Sequence, residues 1–119
     1  MVRFDPETYL PLTQAEFQVL VALADGEKHG YAIGKEVARR TDGHVRLRAA
    51  TLYTVIKRLL SEELIEESST RPDAALDDER RRYYRLSERG RKVAVAEARR
   101  LEQTLAQARH KLKIRGSIG

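Results

Sequence analysis

The first half of the chain repeats apolar residues at the spacing of amphipathic helices in three short segments. Thr13 and Glu16 have the spacing of a capping box and mark the start of the first helix, which is predicted to end at Asp25-Gly26. The second helix is predicted over residues 30–41 and the third over residues 49–62. Their predicted core-facing residues are Phe17, Leu20, Val21, Leu23 and Ala24, then Ile33 and Val37, then Leu52, Val55, Ile56, Leu59 and Leu60.

The periodicity changes to short strand-like runs after the third helix. Residues 64–68 and 82–86 are separated by a polar segment that contains Pro72, and we expect them to pair as a hairpin with a long loop. A helical pattern returns over residues 87–114. Within it, six apolar residues recur at alternating gaps of four and three, the spacing of a coiled-coil seam. They are Ala94, Ala98, Leu101, Leu105, Ala108 and Leu112.

The predicted order is therefore three helices, a hairpin and a long helix. This order is typical of a winged helix-turn-helix, in which the third helix enters the DNA major groove and the wing touches the backbone, although another small α+β domain has the same pattern. The predicted fold class is mostly α with a small β-hairpin. We divide it into an extended N-terminal arm over residues 1–12, a winged helix-turn-helix over 13–86 and a C-terminal dimerisation helix over 87–115.

The composition of the 119-residue chain excludes several classes of protein. It has no Cys, which removes disulfide scaffolds, thiolate zinc sites and cysteine nucleophiles. The sequence contains no nucleophile elbow, Gly-rich phosphate loop or metal-ligand spacing, and its three His residues are far apart. Residues 1–7 lack the apolar segment of a secretory leader, so we expect none, and no apolar run is long enough to span a bilayer. We therefore expect a cytosolic protein that is not an enzyme and uses no metal or cofactor.

The net charge of +5 conceals a strong division along the chain. Residues 1–79 carry 10 Lys and Arg against 15 Asp and Glu, whereas residues 80–115 carry 13 Lys and Arg against 3 acidic residues. This asymmetry indicates a polyanionic partner, with nucleic acid the first choice and an anionic membrane surface the second. A solvated basic helix has a similar composition.

The predicted third helix has the composition of a DNA-facing element. The 17 residues from Val45 through Ser61 include no Asp or Glu, although Arg46, Arg48, Lys57 and Arg58 lie among them. With its apolar stripe facing inward, the helix points small residues, a tyrosine and a lysine outward, and such a surface suits close approach to base edges and phosphates. The predicted outward residues are Ala50, Tyr53, Thr54, Lys57 and Ser61, with Arg58 at the border.

Four segments together resemble the PadR family of transcriptional regulators. They are residues 29–33 (HGYAI), 51–53 (TLY), 59–66 and 81–87 (RRYYRLS), and the resemblance extends from about Leu12 to Leu112. It implies a dimeric winged-helix repressor of the short subgroup, whose single C-terminal helix builds the dimer. The chain departs from the family pattern at Ala50, Thr54 and Glu63, where Gly, Pro and Gly are usual. Because a residue other than Gly adopts positive φ only at a cost, the left-handed turn expected at Glu63 is in question.

The resemblance and the helical wheel together select the candidate site residues. Tyr31 and Tyr53 match tyrosines of the family and are expected to contact phosphates, although packing of Tyr31 between helices is the competing interpretation. Three arginines at the start of the second wing strand, Arg80, Arg81 and Arg82, are expected to contact phosphates or the minor groove. The competing interpretation is that they and the acidic residues Asp77, Asp78 and Glu79 neutralise each other in a solvated loop. The full predicted DNA-binding set is Tyr31, Lys35, Arg48, Ala50, Thr51, Tyr53, Thr54, Lys57, Arg58, Arg80, Arg81 and Arg82; the predicted dimer set is the six-residue seam.

The predicted partners are double-stranded DNA and a second copy of the chain, with a small-molecule effector left open and no membrane. Relatives in the family are typically repressors, and some of them are released by small aromatic or drug-like ligands bound near the dimer interface. The competing interpretation is a repressor that has no ligand and is controlled by its own concentration. We expect any such ligand to act by changing the spacing of the two recognition helices, in a cavity near Tyr9, Phe17, Ala98 and Leu101. The alternative function is a winged-helix module that binds a protein partner through its helical tail and does not bind DNA.

Overall fold

A computed structural model describes residues 3–68 and 82–115 of the chain. Its α-helices are α1 (Gln14–Ala22), α2 (Gly30–Arg40), α3 (Ala49–Ser61) and α4 (Glu88–Leu112). Its strands are β1 (Lys28–His29), β2 (Ile65–Glu67) and β3 (Tyr83–Leu86), and a single 3₁₀ turn covers Pro6–Tyr9. The fold is the mostly helical winged helix-turn-helix that the sequence predicts.

The wing is a three-stranded antiparallel sheet in the order β1-β3-β2. The predicted hairpin is confirmed, with Ile65 opposite Leu86 and Glu67 opposite Tyr84. The third strand, β1, was not predicted, because a strand of two residues is too short to show an alternation of apolar and polar positions. It pairs His29 with Tyr83 and thereby joins the start of α2 to the wing.

The core lies where α1, α2 and α3 meet the sheet and the first turns of α4. Ile33 and Val37 of α2 are fully buried, as predicted, whereas Phe17 and Val21 of α1 are only half-buried. The Thr13–Glu16 capping box is present, but α1 ends at Ala22, before the predicted stop. The buried residues of the hydrophobic core are Val19, Leu20, Ala22, Leu23, Ile33, Val37, Leu52, Ile56, Leu59, Leu64, Ile65, Tyr84 and Val93.

Helix α3 ends in a Schellman motif that directs the chain into the wing. The Leu64 N–H donates to the Leu59 carbonyl at 3.0 Å and the Glu63 N–H donates to the Leu60 carbonyl at 3.0 Å. Glu63 has φ of 62°, so the left-handed turn forms without glycine. Ser87 holds this turn against α4, because its hydroxyl donates to the Glu63 carbonyl at 2.7 Å and accepts from the Gly90 N–H at 2.9 Å.

The N-terminal arm is not extended, in contrast to the expectation from the sequence. Asp5 caps the 3₁₀ turn, and the Leu10–Pro11 peptide bond that follows the turn is cis. The turn packs on α4 of the same chain, with Tyr9 half-buried against the core. A buried carboxylate on α4 holds the end of the arm: Glu97, which is 2% exposed, accepts a hydrogen bond from the Leu12 N–H at 3.1 Å.

Glu97→Gln is expected to lower the free energy of unfolding by about 1 to 2 kcal/mol at neutral pH, because charge-assisted hydrogen bonds are stronger than neutral ones. Arg100 donates to both Glu97 oxygens, at 2.6 and 3.1 Å. The hydrogen bonds from Arg100 and from the Leu12 N–H lower the pKa of Glu97 from its ordinary value of 4.5. Their effect is larger than that of burial, which by itself would raise this pKa. A depressed folded-state pKa contributes stability above the unfolded value and loses it as pH falls through the folded value.

Urea unfolding at about pH 7 and again below the ordinary pKa of a glutamate tests this role of Glu97. The difference in the free energy of unfolding between the wild type and Glu97→Gln is expected to disappear as the pH falls below about 4.5. Glu102→Gln is the matched control, because Glu102 is exposed on the same helix. A difference that stays constant across this pH range would contradict an ionised Glu97 as the anchor of the arm.

Candidate nucleic-acid interface

Helix α3 turns its apolar stripe inward and a small polar face outward. Leu52, Ile56 and Leu59 are buried, and the opposite face is exposed. Thr54 donates its hydroxyl to the Ala50 carbonyl at 2.9 Å, which keeps that side chain low on the helix surface. The exposed residues of this face are Ala50, Thr51, Thr54, Lys57 and Ser61. Apart from Tyr53, the outward placement from the helical wheel is confirmed.

Tyr53 is placed differently from its predicted outward orientation. Its side chain is half-buried and its hydroxyl oxygen is buried. The ring lies across the start of α2, so close that a Cβ at Gly30 would stand 2.6 Å from the Tyr53 hydroxyl oxygen. The predicted outward orientation was wrong because a helical wheel considers one helix alone. It contains no information about Gly30 on the neighbouring helix, which leaves room for the ring. Tyr53 therefore joins α2 to α3.

The N-terminal end of α2 presents an exposed aromatic and cationic cluster. His29 caps the helix, since its Nδ1 accepts from the Ala32 N–H at 3.2 Å. Its ring stacks on Tyr31 with centroids 6.3 Å apart and meets the edge of Tyr83 at 5.5 Å. Tyr31 is 57% exposed and does not pack between helices, and the Lys35 Nζ lies 5.1 Å from the centre of its ring. The side chain of Tyr31 is thus accessible to a large partner.

The cations around α3 differ in whether a carboxylate neutralises them. Among the residues that the structure describes, Lys35, Arg46, Arg48 and Lys57 have no carboxylate oxygen within 4.0 Å. Arg58 is the exception, because its Nε lies 3.2 Å from a buried oxygen of Glu16 and 3.8 Å from Glu62. The Arg58 guanidinium therefore compensates the charge of Glu16. The other four cations around α3 have no such carboxylate neighbour among the described residues.

The described residues include one of the three wing arginines that are predicted to bind DNA, Arg82. The Arg82 Nε lies 3.7 Å from Glu67 on the adjacent strand, and its carbonyl accepts from the Gly30 N–H at 3.2 Å. Arg85 likewise pairs with Glu66 at 2.9 Å. Arg80 and Arg81 lie outside the described residues, as do Asp77, Asp78 and Glu79. Arg82, directly before β3, thus lies next to a carboxylate of β2, and its predicted contact with DNA stays a prediction.

An open groove lies between α2 and α3, next to the exposed Tyr31. It has a volume of about 270 Å³. Sequence reasoning did not identify it, because it depends on how closely the two helices cross. Gly34 of α2 faces Leu52 of α3 in this groove, and a Cβ at Gly34 would make ordinary contact with a Leu52 methyl carbon at 3.4 Å. The lining residues are Tyr31, Gly34, Lys35, Ala38, Arg46, Leu47, Ala49, Leu52 and Tyr53.

The predicted dimer seam lies on a surface of α4 that the chain itself leaves open. Leu101, Leu105 and Leu112 are 40%, 50% and 69% exposed. Ala98 is exposed as well, whereas Ala94 packs against the core and Ala108 is half-buried. The last four turns of α4 therefore carry an apolar strip with no counterpart in the same chain, within the described ranges.

Neither a metal site nor a membrane-spanning helix occurs in the described parts of the chain. Residues 3–68 and 82–115 contain no group of three or more His, Asp or Glu side chains arranged to hold a metal ion. None of the helices in those ranges is both long enough and apolar enough to cross a membrane.

Known proteins share this architecture. Residues 19–96 match the model of the transcriptional regulator PadR-like family. An uncharacterised protein from Lysinibacillus sphaericus is 33% identical over 73 residues, which is 61% of this chain and 64% of that protein. The match thus spans less than two thirds of that relative's length.

Solved structures have the same fold. A PadR family transcription regulator from Clostridium difficile R20291 has a TM-score of 0.68 at 22% identity, over 82% of this chain and 97% of that chain. Bacillus subtilis PadR in complex with operator DNA has a TM-score of 0.59 at 19% identity, over 92% of this chain and 51% of that chain. At these identities the similarity concerns the fold.

Proposed function

Because the chain belongs to the PadR-like family of transcriptional regulators, we propose that it is a repressor that binds a pseudo-palindromic DNA operator as a homodimer. One observation carries the proposal: α3 presents an exposed, acid-free face that includes Lys57, and Lys35, Arg46 and Arg48 are further exposed cations beside it. An exposed cation without a carboxylate partner is free to neutralise a phosphate and release a counterion. Small residues such as Ala50 and Thr54 let the helix backbone approach base edges.

Each protomer places α3 in one major groove, with the wing against the flanking backbone. Tyr31 and Lys35 stand at the exposed start of α2, where they reach phosphates beside the groove. The two half-sites lie about one helical turn apart, on the order of 34 Å, because a twofold dimer reads a twofold site. The apolar strip of α4 supplies the dimer contact in this arrangement.

A gel-shift titration with DNA from upstream of the protein's own gene tests the proposal. Binding to one fragment is expected at protein concentrations at least about tenfold lower than binding to random DNA of equal length. Equal binding to all fragments at moderate salt would refute sequence-specific recognition. Absence of binding to every fragment would instead favour the winged-helix module that binds a protein partner and not DNA.

Lys57→Ala is expected to weaken binding by about three- to thirtyfold, because Lys57 is exposed at the centre of the acid-free face. An equal loss on operator and random DNA, with a salt dependence reduced by about one counterion, identifies a phosphate contact. A loss confined to the operator identifies a base contact. Lys92→Ala is the matched control, since Lys92 is an exposed lysine on α4 outside the predicted interface. Unchanged affinity of Lys57→Ala would remove α3 from the interface.

A further inference from the structure

The hydrogen bond that caps α2 fixes which nitrogen of His29 carries the proton. The Ala32 N–H donates to the His29 Nδ1 at 3.2 Å. A ring nitrogen accepts a hydrogen bond only when it carries no proton, and a neutral imidazole then has its proton on the other nitrogen. His29 therefore has an Nε2–H group. This N–H points away from the amides at the start of α2, because the two ring nitrogens lie on opposite sides of the carbon Cε1.

The Nε2–H group of His29 is open to a partner from outside the chain. Within residues 3–68 and 82–115, no hydrogen bond joins the His29 Nε2 to an acceptor, and this atom is not buried. Polar hydrogens in folded proteins find an acceptor in protein, water or a bound molecule. A bound molecule with an acceptor oxygen can therefore take the place of water at this donor.

The imidazole ring of His29 is held in place from several sides. It stacks on Tyr31 with centroids 6.3 Å apart and planes inclined by 6°, and it meets the edge of Tyr83 at 5.5 Å. Its backbone pairs with that of Tyr83 in the sheet. A side chain that is already ordered loses little conformational entropy on binding, so more of its hydrogen-bond energy contributes to affinity. The direction of the Nε2–H is thus fixed before a partner arrives.

The surroundings of this donor suit an anionic oxygen. Tyr31, which stacks on His29, is exposed, and the exposed Lys35 has its Nζ 5.1 Å from the centre of the Tyr31 ring. The adjacent Lys28 is different, because two carboxylates at 2.7 and 3.4 Å compensate its charge. The positive end of the α2 dipole adds to the charge of Lys35. A fixed N–H donor beside an exposed cation is a common arrangement at a DNA phosphate.

We propose that His29 donates its Nε2–H to a phosphate oxygen of the DNA backbone, beside the major groove that α3 enters. One side chain then has two roles, because Nδ1 caps α2 and Nε2 fixes the position of the protein on the duplex. The inference rests on the proposed function and adds a residue that the predicted DNA-binding set does not contain. Because this donor is neutral, its contact with a phosphate releases no counterion, in contrast to a lysine contact.

The substitutions His29→Asn and His29→Gln separate the two roles. Asn is a preferred N-cap residue, but it is too short to place an N–H where the His29 Nε2 lies. His29→Asn is therefore expected to unfold at nearly the same urea concentration as the wild type and to bind operator and random DNA about tenfold more weakly. The Gln amide reaches further but caps a helix poorly. His29→Gln is expected to unfold at a lower urea concentration and to bind DNA within about threefold of the wild type.

The salt dependence of binding distinguishes a neutral donor from a cation. The dependence of affinity on salt should be the same for His29→Asn and the wild type, whereas Lys35→Ala should reduce it by about one counterion per protomer. His110→Asn, at an exposed histidine of α4, is the control and should change neither stability nor affinity. If both His29 variants lose stability and affinity in parallel, His29 is only a cap and the proposal is overturned. Wild-type affinity in His29→Asn would also overturn it, while a wild type that binds no DNA would refute the proposed function itself.

Nitrogen NMR of the full chain tests the protonation pattern without DNA. The ring signals of His29, identified by their loss in His29→Asn, should show a protonated Nε2 and an unprotonated Nδ1 at about pH 8, where imidazoles are generally neutral. The opposite tautomer would overturn the proposal, because the outward nitrogen would then be an acceptor and would repel a phosphate.

Operator DNA with one neutral methylphosphonate at a time locates the phosphate. The wild type is expected to lose about tenfold in affinity at one or more positions of each half-site. At one of these positions His29→Asn should lose no more than about twofold further, because both changes remove the same hydrogen bond. Fully additive losses at every position would overturn a contact between His29 and the backbone.

Discussion

Gly90→Ala is expected to lower the free energy of unfolding by about 3 kcal/mol, a large share of the stability of a domain of this size. Gly90 lies in the first turn of α4, directly against the turn that joins α3 to the wing. A Cβ at this position would overlap the Leu64 carbonyl oxygen and stand 2.9 Å from a methyl carbon of Leu86. The carbonyl belongs to the backbone and also accepts the Ser87 N–H at 3.1 Å, so it cannot move without loss of that bond.

Urea unfolding of Gly90→Ala and Gly34→Ala measures the effect against a matched helical glycine. A Cβ at Gly34 would meet only a Leu52 methyl carbon, at 3.4 Å, which is ordinary contact. Because Ala forms helix more readily than Gly, Gly34→Ala is expected to be neutral or to stabilise by up to about 1 kcal/mol. Equal changes in the two variants would show that α4 does not press on the wing turn as described.

Leu105→Glu is expected to convert the proposed dimer to monomers and to lower operator affinity by about 10² to 10⁴-fold. Leu105 is 50% exposed in the single chain and lies near the middle of the α4 strip, so a carboxylate there would be buried in the proposed dimer without a partner. Once the two protomers separate, each half-site binds alone and the gain from their linkage is lost. Folding of the protomer should be unaffected, because the side chain does not contribute to the core.

Light scattering and operator binding, measured on the same preparation, test the coupling between assembly and DNA recognition. Gln103→Glu is the matched control, because it adds the same charge to an exposed position of α4 outside the strip. That variant should remain a dimer and bind DNA within a few-fold of the wild type. If Leu105→Glu stays dimeric, the dimer interface lies elsewhere on the chain.

The sequence by itself determined the elements whose signals are local. The capping residue Thr13 marks the start of α1, and the helical pattern that returns at Ser87 marks the start of α4. Apolar periodicity places α2 and α3 within one residue of their observed ends. The wing hairpin was recognisable because its strands have flanking turn signals. A charge pattern is equally local, so the amino-acid sequence alone predicts the acid-free face of α3 and its exposed Lys57.

Contacts between distant segments were decided only by the tertiary structure. The arm folds back because Glu97, 85 residues beyond Leu12, accepts its amide, and no local pattern links the two. Tyr53 turns inward because Gly30 on another helix leaves space for its ring. The groove beside Lys35 and Arg46 likewise exists only where two helices cross. In each case the stabilising free energy comes from burial or hydrogen bonding between residues far apart in the chain. Helical periodicity is a property of neighbouring residues and therefore does not predict such contacts.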